Sequence, residues 1–368
     1  MENALPVGMV EPEDISNPRR PGSERAARCV GQGSPAPKEC HAVTTSRDGR
    51  EPLASVRDRV QARVVGRERE LALVLAAVAA GRDLLLEGPP GTSKSTLLRA
   101  ITAEWGIPLV FVEGNADLTP AKLVGHHNPA RVLREDYSPE NFVHGPLVQA
   151  MREGGFLYIE EFNRAPEDTL NTLLTAMAER RIAVPRVGEV VARDTFRVIA
   201  SMNPYDNIGT TRLSTSVHDR LCRLAITYQD AAAERGIVTL RAPVPDLKPA
   251  VYERLVADAV AVTRATRQHE DIRQGSSVRG AIDLTLVAGQ LLNLHTERVR
   301  VSTDPCSNTP GQDEAAEQAY RDTVYDAMVV ALSGRIFLDE TVEATPEQVL
   351  RQIWEDHFLL GPAAATPG

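Results

Sequence analysis

Aromatic residues are scarce in this sequence and make up 4% of its 368 positions. Proteins that bind single-stranded nucleic acid stack bases on aromatic side chains, so the scarcity argues against such a platform. The formal net charge of -9 points the same way, because phosphate backbones and anionic membranes attract an excess of lysine and arginine. A local basic patch stays compatible with this composition, but we do not expect nucleic acid as the main partner.

Cysteine is equally rare, and its spacing does not match that of zinc ligands. The four cysteines are Cys29, Cys40, Cys222 and Cys306. Long apolar runs are also missing, since none approaches the roughly 18 residues that a membrane span needs. The start of the sequence lacks a basic segment followed by an apolar stretch. We therefore expect reduced thiols, no membrane span and a cytoplasmic location.

What the chain does contain changes in character along its length. Residues 1–55 are rich in Pro, Gly and Ser without periodicity, which predicts a disordered leader. Residues 56–229 alternate short apolar runs with helical patterns, which predicts an α/β domain. Residues 230–360 are helical in pattern, with a polar loop near 301–313, and predict a smaller α-helical lid domain. Residues 361–368 are expected to form a flexible tail.

The short apolar runs predict the strands of a parallel sheet that helices cover on both faces. These runs occupy residues 84–86, 108–112, 156–159 and 196–200. After about Asp230 the pattern predicts that strands stop.

A glycine-rich loop follows the first predicted strand and leads into a helix. Backbone N–H groups of such a loop can surround phosphates, and the helix N-terminus adds a favourable dipole. We expect Lys94 to reach the β- and γ-phosphates and Ser95 to offer its hydroxyl to Mg²⁺. Ser93 stands where the P-loop pattern usually has glycine. The residues expected to bind nucleotide here are Gly88, Pro89, Pro90, Gly91, Thr92, Ser93, Lys94, Ser95 and Thr96.

Two carboxylates end the apolar run at 156–159. Functional side chains of parallel sheets collect at the carboxyl ends of strands. Glu160 is therefore expected to hold Mg²⁺ through its water shell, in a position where Asp is usual. Glu161 is expected to orient and polarise the attacking water.

Polar residues that follow the next predicted strand are more ambiguous. Asn203 could help to hold the attacking water, but it is also an ordinary turn asparagine before proline. An arginine of the segment 209–223 could reach a neighbouring subunit's γ-phosphate, or could form a surface salt bridge. Arg279, at the start of a helix in the lid, could contact the nucleotide.

Taken together, these elements resemble the MoxR branch of the AAA+ ATPases over about Val64 to Leu294. The motifs that carry the resemblance lie at 88–95, 145–147, 160–166, 201–204, 219–220 and 277–280. Gas-vesicle GvpN, CbbQ, NorQ and the magnesium-chelatase ATPase subunit are related types. The resemblance implies a P-loop AAA+ parallel sheet between helices, followed by a small helical lid.

The resemblance also implies roles for individual residues. Lys94 and Ser95 would belong to Walker A, Glu160 and Glu161 to Walker B, and Asn203 to sensor 1. Arg220 would be the arginine finger and Arg279 sensor 2. Three residues would lie near adenine: Val64, Val65 and Gly66. Residues 181–195 would form a hairpin ahead of the sensor 1 strand.

The implied function is Mg²⁺-dependent ATP hydrolysis by a homo-hexameric ring that works with a von Willebrand A-domain partner. Such a ring would remodel or mature a client protein, or insert a metal or cofactor into it, and the sequence leaves the client open. One alternative is a nucleotide-gated scaffold with weak hydrolysis, which the departures at Ser93 and Glu160 motivate. Another is a nucleic-acid motor, which the acidic balance disfavours.

Overall fold

The computed structural model describes residues 52–135, 137–204, 213–302 and 312–360. The predicted leader up to residue 51, the centre of the polar loop at 303–311 and the predicted tail lie outside the described residues. Helix α1 begins at Leu53, so the last residues assigned to the leader belong to this helix.

Helices and strands alternate in the first part of the described chain, and helices dominate the second. The helices are α1 Leu53–Gln61, α2 Glu68–Ala79, α3 Lys94–Trp105, α4 Pro120–Val124, α5 Pro129–Glu135, α6 Pro146–Glu153, α7 Glu167–Glu179, α8 Thr215–Arg220, α9 Ala231–Arg241, α10 Pro249–Ala265, α11 Val278–Ser302, α12 Gln312–Leu332 and α13 Pro346–Phe358. The strands are β1 Leu84–Glu87, β2 Leu109–Glu113, β3 Gly125–His127, β4 Phe142–His144, β5 Phe156–Glu160, β6 Arg181–Val184, β7 Gly188–Val191, β8 Arg197–Met202, β9 Cys222–Ala225, β10 Ile272–Gln274 and β11 Phe337–Leu338.

Five strands form one parallel sheet in the order β2-β5-β8-β1-β9. Because all five run in the same direction, their carboxyl ends meet at one edge. Glu87 and Met202 are register partners at that edge, and so are Glu113 and Glu160. The predicted parallel sheet is confirmed, and its edge brings the ends of β1, β5 and β8 together.

Both faces of the three central strands β1, β5 and β8 are buried, as the short apolar strands predict. Successive side chains of a strand point to opposite faces. Leu84 and Leu86 pack in a cluster that includes residues of α1, α2 and α3, whereas Leu85 packs in a second cluster with residues of α6 and α7. Helices therefore cover the sheet on both sides, and α3 places the phosphate loop above its edge.

The helical region has its own core. It gathers apolar side chains of α10 to α13, among them Leu255, Leu284, Val324 and Trp354. Helix α13 begins with a capping box in which Thr345 and Gln348 satisfy each other's backbone N–H groups. Within the described ranges, no helix is both long and apolar enough to cross a membrane.

Local structure differs from the sequence predictions at three places. The prediction that strands stop near Asp230 is wrong, because β10 and β11 pair as a small antiparallel sheet within the helical region. Strand β9 was not predicted, and neither was the antiparallel pair β3–β4. The hairpin expected over 181–195 is present as the antiparallel pair β6–β7.

Candidate functional site

The glycine-rich loop joins β1 to α3 at the carboxyl edge of the sheet. A Cβ on Gly88 would lie 2.0 Å from the carbonyl oxygen of Ile226, and one on Gly91 would lie 2.3 Å from Ser277 Oγ. Both distances are far shorter than a real contact, so these positions require glycine. The loop is thus packed against the end of β9 on one side and against the start of the helical region on the other.

Lys94 lies inside this loop, with 9% of its surface exposed. Its Nζ donates hydrogen bonds to the carbonyl oxygens of Gly88 at 2.8 Å and Pro89 at 2.9 Å. Burial lowers the pKa of Lys94 to about 8, while the nearby Glu160 carboxylate opposes that shift. The ammonium is held where an anion in the loop would meet it.

Ser95 and Glu160 form an oxygen-rich pair on neighbouring elements. Ser95 Oγ donates a hydrogen bond of 2.6 Å to Glu160 Oε1. The hydroxyl of Tyr158 lies 3.1 Å from Ser95 Oγ. Hydroxyl and carboxylate oxygens are the ligand types that Mg²⁺ takes in proteins. The residues present therefore fit a hard divalent cation.

Glu161 follows at the end of β5 on a left-handed backbone, with φ of 53°. Its Oε2 lies 2.5 Å from Nε of Arg164, and both side chains are about two-fifths exposed. Asn203 comes directly after β8, where its carbonyl oxygen accepts a hydrogen bond of 3.4 Å from Asn163 Nδ2. The two residues that sequence reasoning assigned to the attacking water stand at the ends of neighbouring strands.

One cavity of about 290 Å³ brings most of the predicted chemistry together. It is lined by Pro90, Gly91, Thr92, Ser93, Lys94, Ser95, Thr96, Glu160, Glu161, Ser201, Met202, Asn203 and Arg279. The carboxylates, the amide and both cations thus share one cavity, although they lie at the end of β5, directly after β8, in α3 and in α11. Such convergence of charged groups in a concavity is typical of a ligand site.

A second cavity of about 340 Å³ shares Gly91, Ser93, Thr96 and Arg279 with the first. Its remaining lining is largely apolar and comes from the start of the domain and from the helical region: Arg63, Val64, Val65, Ile237, Leu240, Arg241, Val278 and Ile282. A flat apolar group and a polyanion joined to it could occupy the two cavities together.

Three residues predicted to bind nucleotide are placed differently. A Cβ on Gly66 would lie 2.5 Å from the Cβ of Ala233, so Gly66 serves the packing of α9. Gly88 and Pro89 turn their carbonyl oxygens to Lys94, and Pro89 also lines a separate cavity with Tyr228 and Arg267.

Arg220 stands apart from the phosphate loop. It ends α8, its Nη1 donates to the carbonyl oxygen of Ser216 at 3.0 Å, and it lines another cavity with Arg82, Arg180 and Arg197. Arg223 forms an ion pair with Glu87 in the same chain. Arg212 lies outside the described residues. Arg220 is therefore placed at a different surface from the cavity that holds Lys94.

Sequence reasoning missed Arg67, which is 3% exposed. Its Nη2 donates to the carbonyl oxygens of Thr92 at 3.0 Å and Thr227 at 2.7 Å, and its Nη1 pairs with Glu70 at 2.9 Å. Arg67 thereby ties the phosphate loop to the segment that leaves the sheet. Nothing local in the sequence distinguishes it from a surface arginine at the start of a helix.

A buried carboxylate in the helical region was missed as well. Glu234 is 2% exposed and pairs with Arg264 at 3.2 Å and Arg267 at 2.7 Å. Arg267 Nε also donates to the carbonyl oxygen of Ser276 at 2.6 Å. This network supports the turn just before Arg279, so it holds one wall of both cavities.

Comparison with known protein families matches residues 83–221 to the AAA domain of the dynein-related subfamily. That range contains the phosphate loop, both carboxylates of the strand end, Asn203 and Arg220. The residues of the helical region that line the cavities, including Arg279, lie beyond it.

Among curated proteins, the gas vesicle ATPase GvpN of Ancylobacter aquaticus is 27% identical over 232 residues, which cover 58% of this chain and 62% of GvpN. YojN of Bacillus subtilis strain 168 is 28% identical over 211 residues, covering 57% of this chain and 68% of YojN. The chain thus spans less than two thirds of GvpN's own length.

Solved structures with a similar chain path include a candidate ATPase of Cytophaga hutchinsonii, with 20% identity and a TM-score of 0.43. It covers 82% of this chain and 92% of its own. The RuvB Holliday junction branch migration motor of Thermotoga maritima has 18% identity and a TM-score of 0.43, covering 75% of this chain and 72% of that one.

Proposed function

We propose that this chain is an AAA+ ATPase of the MoxR and GvpN type, and that it couples Mg²⁺-dependent ATP hydrolysis to remodelling, maturation, or metal or cofactor insertion of a partner protein; the match to the AAA domain and the similarity to GvpN support the proposal. The observation that carries the proposal is the single cavity in which Lys94, Ser95, Glu160, Glu161 and Asn203 meet.

The proposed chemistry assigns one task to each of these groups. Lys94 binds the β- and γ-phosphates, and its charge favours the phosphate oxygens over the neutral carbonyls that it contacts here. Ser95 would hold Mg²⁺ directly and Glu160 would hold it through water; the cation, when bound, would neutralise charge on the phosphates. Glu161 polarises the attacking water, and Asn203 helps to position it.

The remaining site residues bind the ends of the nucleotide. Val64 and Val65 line the apolar part of the second cavity and are proposed to contact adenine. Arg279 borders both cavities and is proposed to contact the phosphates from the lid domain. This assignment follows the division into an α/β domain over 56–229 and a helical lid over 230–360.

The proposed assembly is a cytoplasmic homo-hexamer that works with a von Willebrand A-domain protein. Its support within this chain is the position of Arg220, which lines a different cavity from Lys94 and can serve a neighbouring subunit. The client is proposed to be a protein that the ring reshapes while ATP turns over.

A second candidate is a nucleotide-gated scaffold that binds ATP and hydrolyses it very slowly. The ion pair between Glu161 and Arg164 favours it, because the arginine competes with an attacking water for the carboxylate. Turnover measurements distinguish the two candidates.

The test compares ATP binding and phosphate release in three variants. We expect Lys94→Ala to weaken ATP binding by at least about tenfold, since a buried charge-assisted contact is lost. Glu161→Gln is expected to bind ATP normally and to hydrolyse it about 100-fold more slowly, because an amide cannot accept the proton of water. The matched control is Glu113→Gln at the exposed end of β2, which should keep both properties.

Three outcomes decide between the candidates. A wild-type protein that does not bind ATP overturns the proposal. A wild-type protein that binds ATP but releases phosphate only as slowly as Glu161→Gln, with or without partner, identifies the scaffold. Capture of a von Willebrand A-domain protein by ATP-loaded Glu161→Gln, and not by Lys94→Ala, supports the proposed partner.

A further inference from the structure

Tyr158 is a buried tyrosine whose hydroxyl contacts the two residues of the candidate metal site, Ser95 and Glu160. It lies on β5 two residues before Glu160, so both side chains point to the face of the sheet that α3 covers. The ring is fully buried.

Three oxygens surround this hydroxyl. Ser201 Oγ lies at 2.9 Å, Ser95 Oγ at 3.1 Å and Glu160 Oε1 at 3.4 Å. A phenol has one proton to donate and can accept other hydrogen bonds. Ser201 is 1% exposed and stands on β8, two residues before Asn203, so the hydroxyl joins three different elements of the site.

The directions of the hydrogen bonds form a chain. Ser95 donates its own proton to Glu160 at 2.6 Å. If Ser201 donates to Tyr158, the phenol proton turns to Ser95, and every hydroxyl in the chain has a partner. This arrangement holds the Ser95 proton toward Glu160 and leaves an oxygen lone pair of Ser95 for a cation in the cavity. It also restrains the glutamate, whose side chain is one methylene longer than the usual aspartate.

We propose that Tyr158 is a positioning residue of the metal site, which orients the Ser95 hydroxyl and the Glu160 carboxylate for a divalent cation and links both to the strand of Asn203 through Ser201. The inference rests on the proposed function, because it assigns a metal–nucleotide complex to this cavity. Tyr158 touches neither the cavity nor the ligand, and it acts through Ser95 and Glu160.

The test uses the full chain with ADP and Mn²⁺ as the probe, and measures bound Mn²⁺ by electron paramagnetic resonance. Tyr158→Phe keeps the ring and removes the hydroxyl, and it should weaken Mn²⁺ binding to the protein–ADP complex about fivefold. ADP affinity measured in EDTA should stay at the wild-type value, because the hydrogen bonds of Tyr158 go to side-chain oxygens of Ser95, Glu160 and Ser201.

Two further variants complete the experiment. Ser201→Ala keeps the phenol but removes its partner, and should weaken Mn²⁺ binding in the same direction by a smaller factor; it also serves if Tyr158→Phe does not fold. Tyr320→Phe is the matched control, since this buried tyrosine donates to Asp258 in the helical region and should leave Mn²⁺ binding unchanged.

Wild-type Mn²⁺ affinity in both Tyr158→Phe and Ser201→Ala overturns the inference. An equal loss of ADP affinity in EDTA also overturns it, because the hydroxyl would then support the fold of the whole site. If the wild-type protein itself binds no Mn²⁺–ADP, the proposed function fails and this inference fails with it.

Discussion

At the scale of single residues, two side chains of the site stand on left-handed backbone. Ser93 has φ of 64° and Glu161 has φ of 53°. A residue with a Cβ costs roughly 1–2 kcal/mol in this conformation, and such strain collects at functional sites. At Ser93 the conformation also explains why the P-loop pattern usually places glycine there.

Ser93→Gly should therefore stabilise the protein. Relief of the left-handed strain exceeds the added flexibility of the unfolded chain, so we expect a gain of about 0.5–1 kcal/mol in unfolding free energy. Urea unfolding measures it, and ATP affinity should not fall. The control, Ser55→Gly within α1, should instead lose about 0.5 kcal/mol, since glycine is a poorer helix former. A destabilised Ser93→Gly would mean that the serine hydroxyl contributes more than its backbone costs.

At the scale of elements, ion pairs on the surface join helices of the helical region. Glu317 on α12 accepts two hydrogen bonds from Arg254 on α10, at 2.7 and 2.6 Å, and one from Arg321 at 2.9 Å. The hydrogen bonds from Arg254 and then Arg321 lower the pKa of Glu317 to about 2. The guanidinium of Arg254 also lies 4.3 Å from the ring centre of Tyr320. The pair thus connects α10 and α12 through a bidentate contact.

This depressed pKa predicts a specific pH dependence. A carboxylate whose folded pKa is lowered contributes stability above its unfolded pKa, here the ordinary value of 4.5, and loses it as pH falls toward about 2. Urea midpoints of the wild type should therefore fall more steeply below about pH 4.5 than those of Glu317→Gln. High salt should reduce the difference, because the pair is partly exposed. The control is Glu343→Gln, at an exposed loop position, whose urea midpoints should depend on pH as those of the wild type do. Identical pH dependence in all three proteins would show that the ion pair of Glu317 does not contribute to stability.

At the scale of the whole molecule, the position of Arg220 determines how the site can be completed. Arg220 precedes β9 and lines a cavity with residues that precede β1 and β8, whereas Lys94 follows β1. In a parallel sheet these are opposite ends of the strands. A finger contributed by Arg220 would therefore act on the nucleotide of another subunit, and the active unit would be an oligomer.

Arg220→Ala should abolish most turnover and leave ATP binding nearly normal. An arginine finger is worth about 10³–10⁵ in rate in studied NTPases. Mixing Arg220→Ala with Glu161→Gln subunits should partly restore hydrolysis, since some intact Walker B sites gain a neighbour with an intact finger. The control is Arg82→Ala. Arg82 lines the same cavity as Arg220, and its variant should retain most of the wild-type rate. Mixed rings that show only the summed residual rates would contradict a trans role for Arg220.

The sequence alone determined those features that depend on residues close to one another in the chain. The phosphate loop before α3 and the two carboxylates after an apolar strand are contiguous motifs, so they are visible without the fold. The parallel sheet was predicted and confirmed for the same reason, because a short apolar strand with both faces buried carries its own pattern. Strand β9, with an exposed arginine among its four residues, lacks that pattern.

Tertiary structure alone decided which further residues, distant in the chain, support the predicted site. Tyr158 meets Ser95 and Ser201 only because β5, β8 and α3 pack together, and its apolar ring marks it in sequence as core. Arg67 immediately precedes α2 and Glu234 lies in α9, and sequence cannot distinguish either charged residue from a solvated one. Their burial depends on partners far along the chain, and the free energy of a buried charge is set by those partners rather than by local pattern.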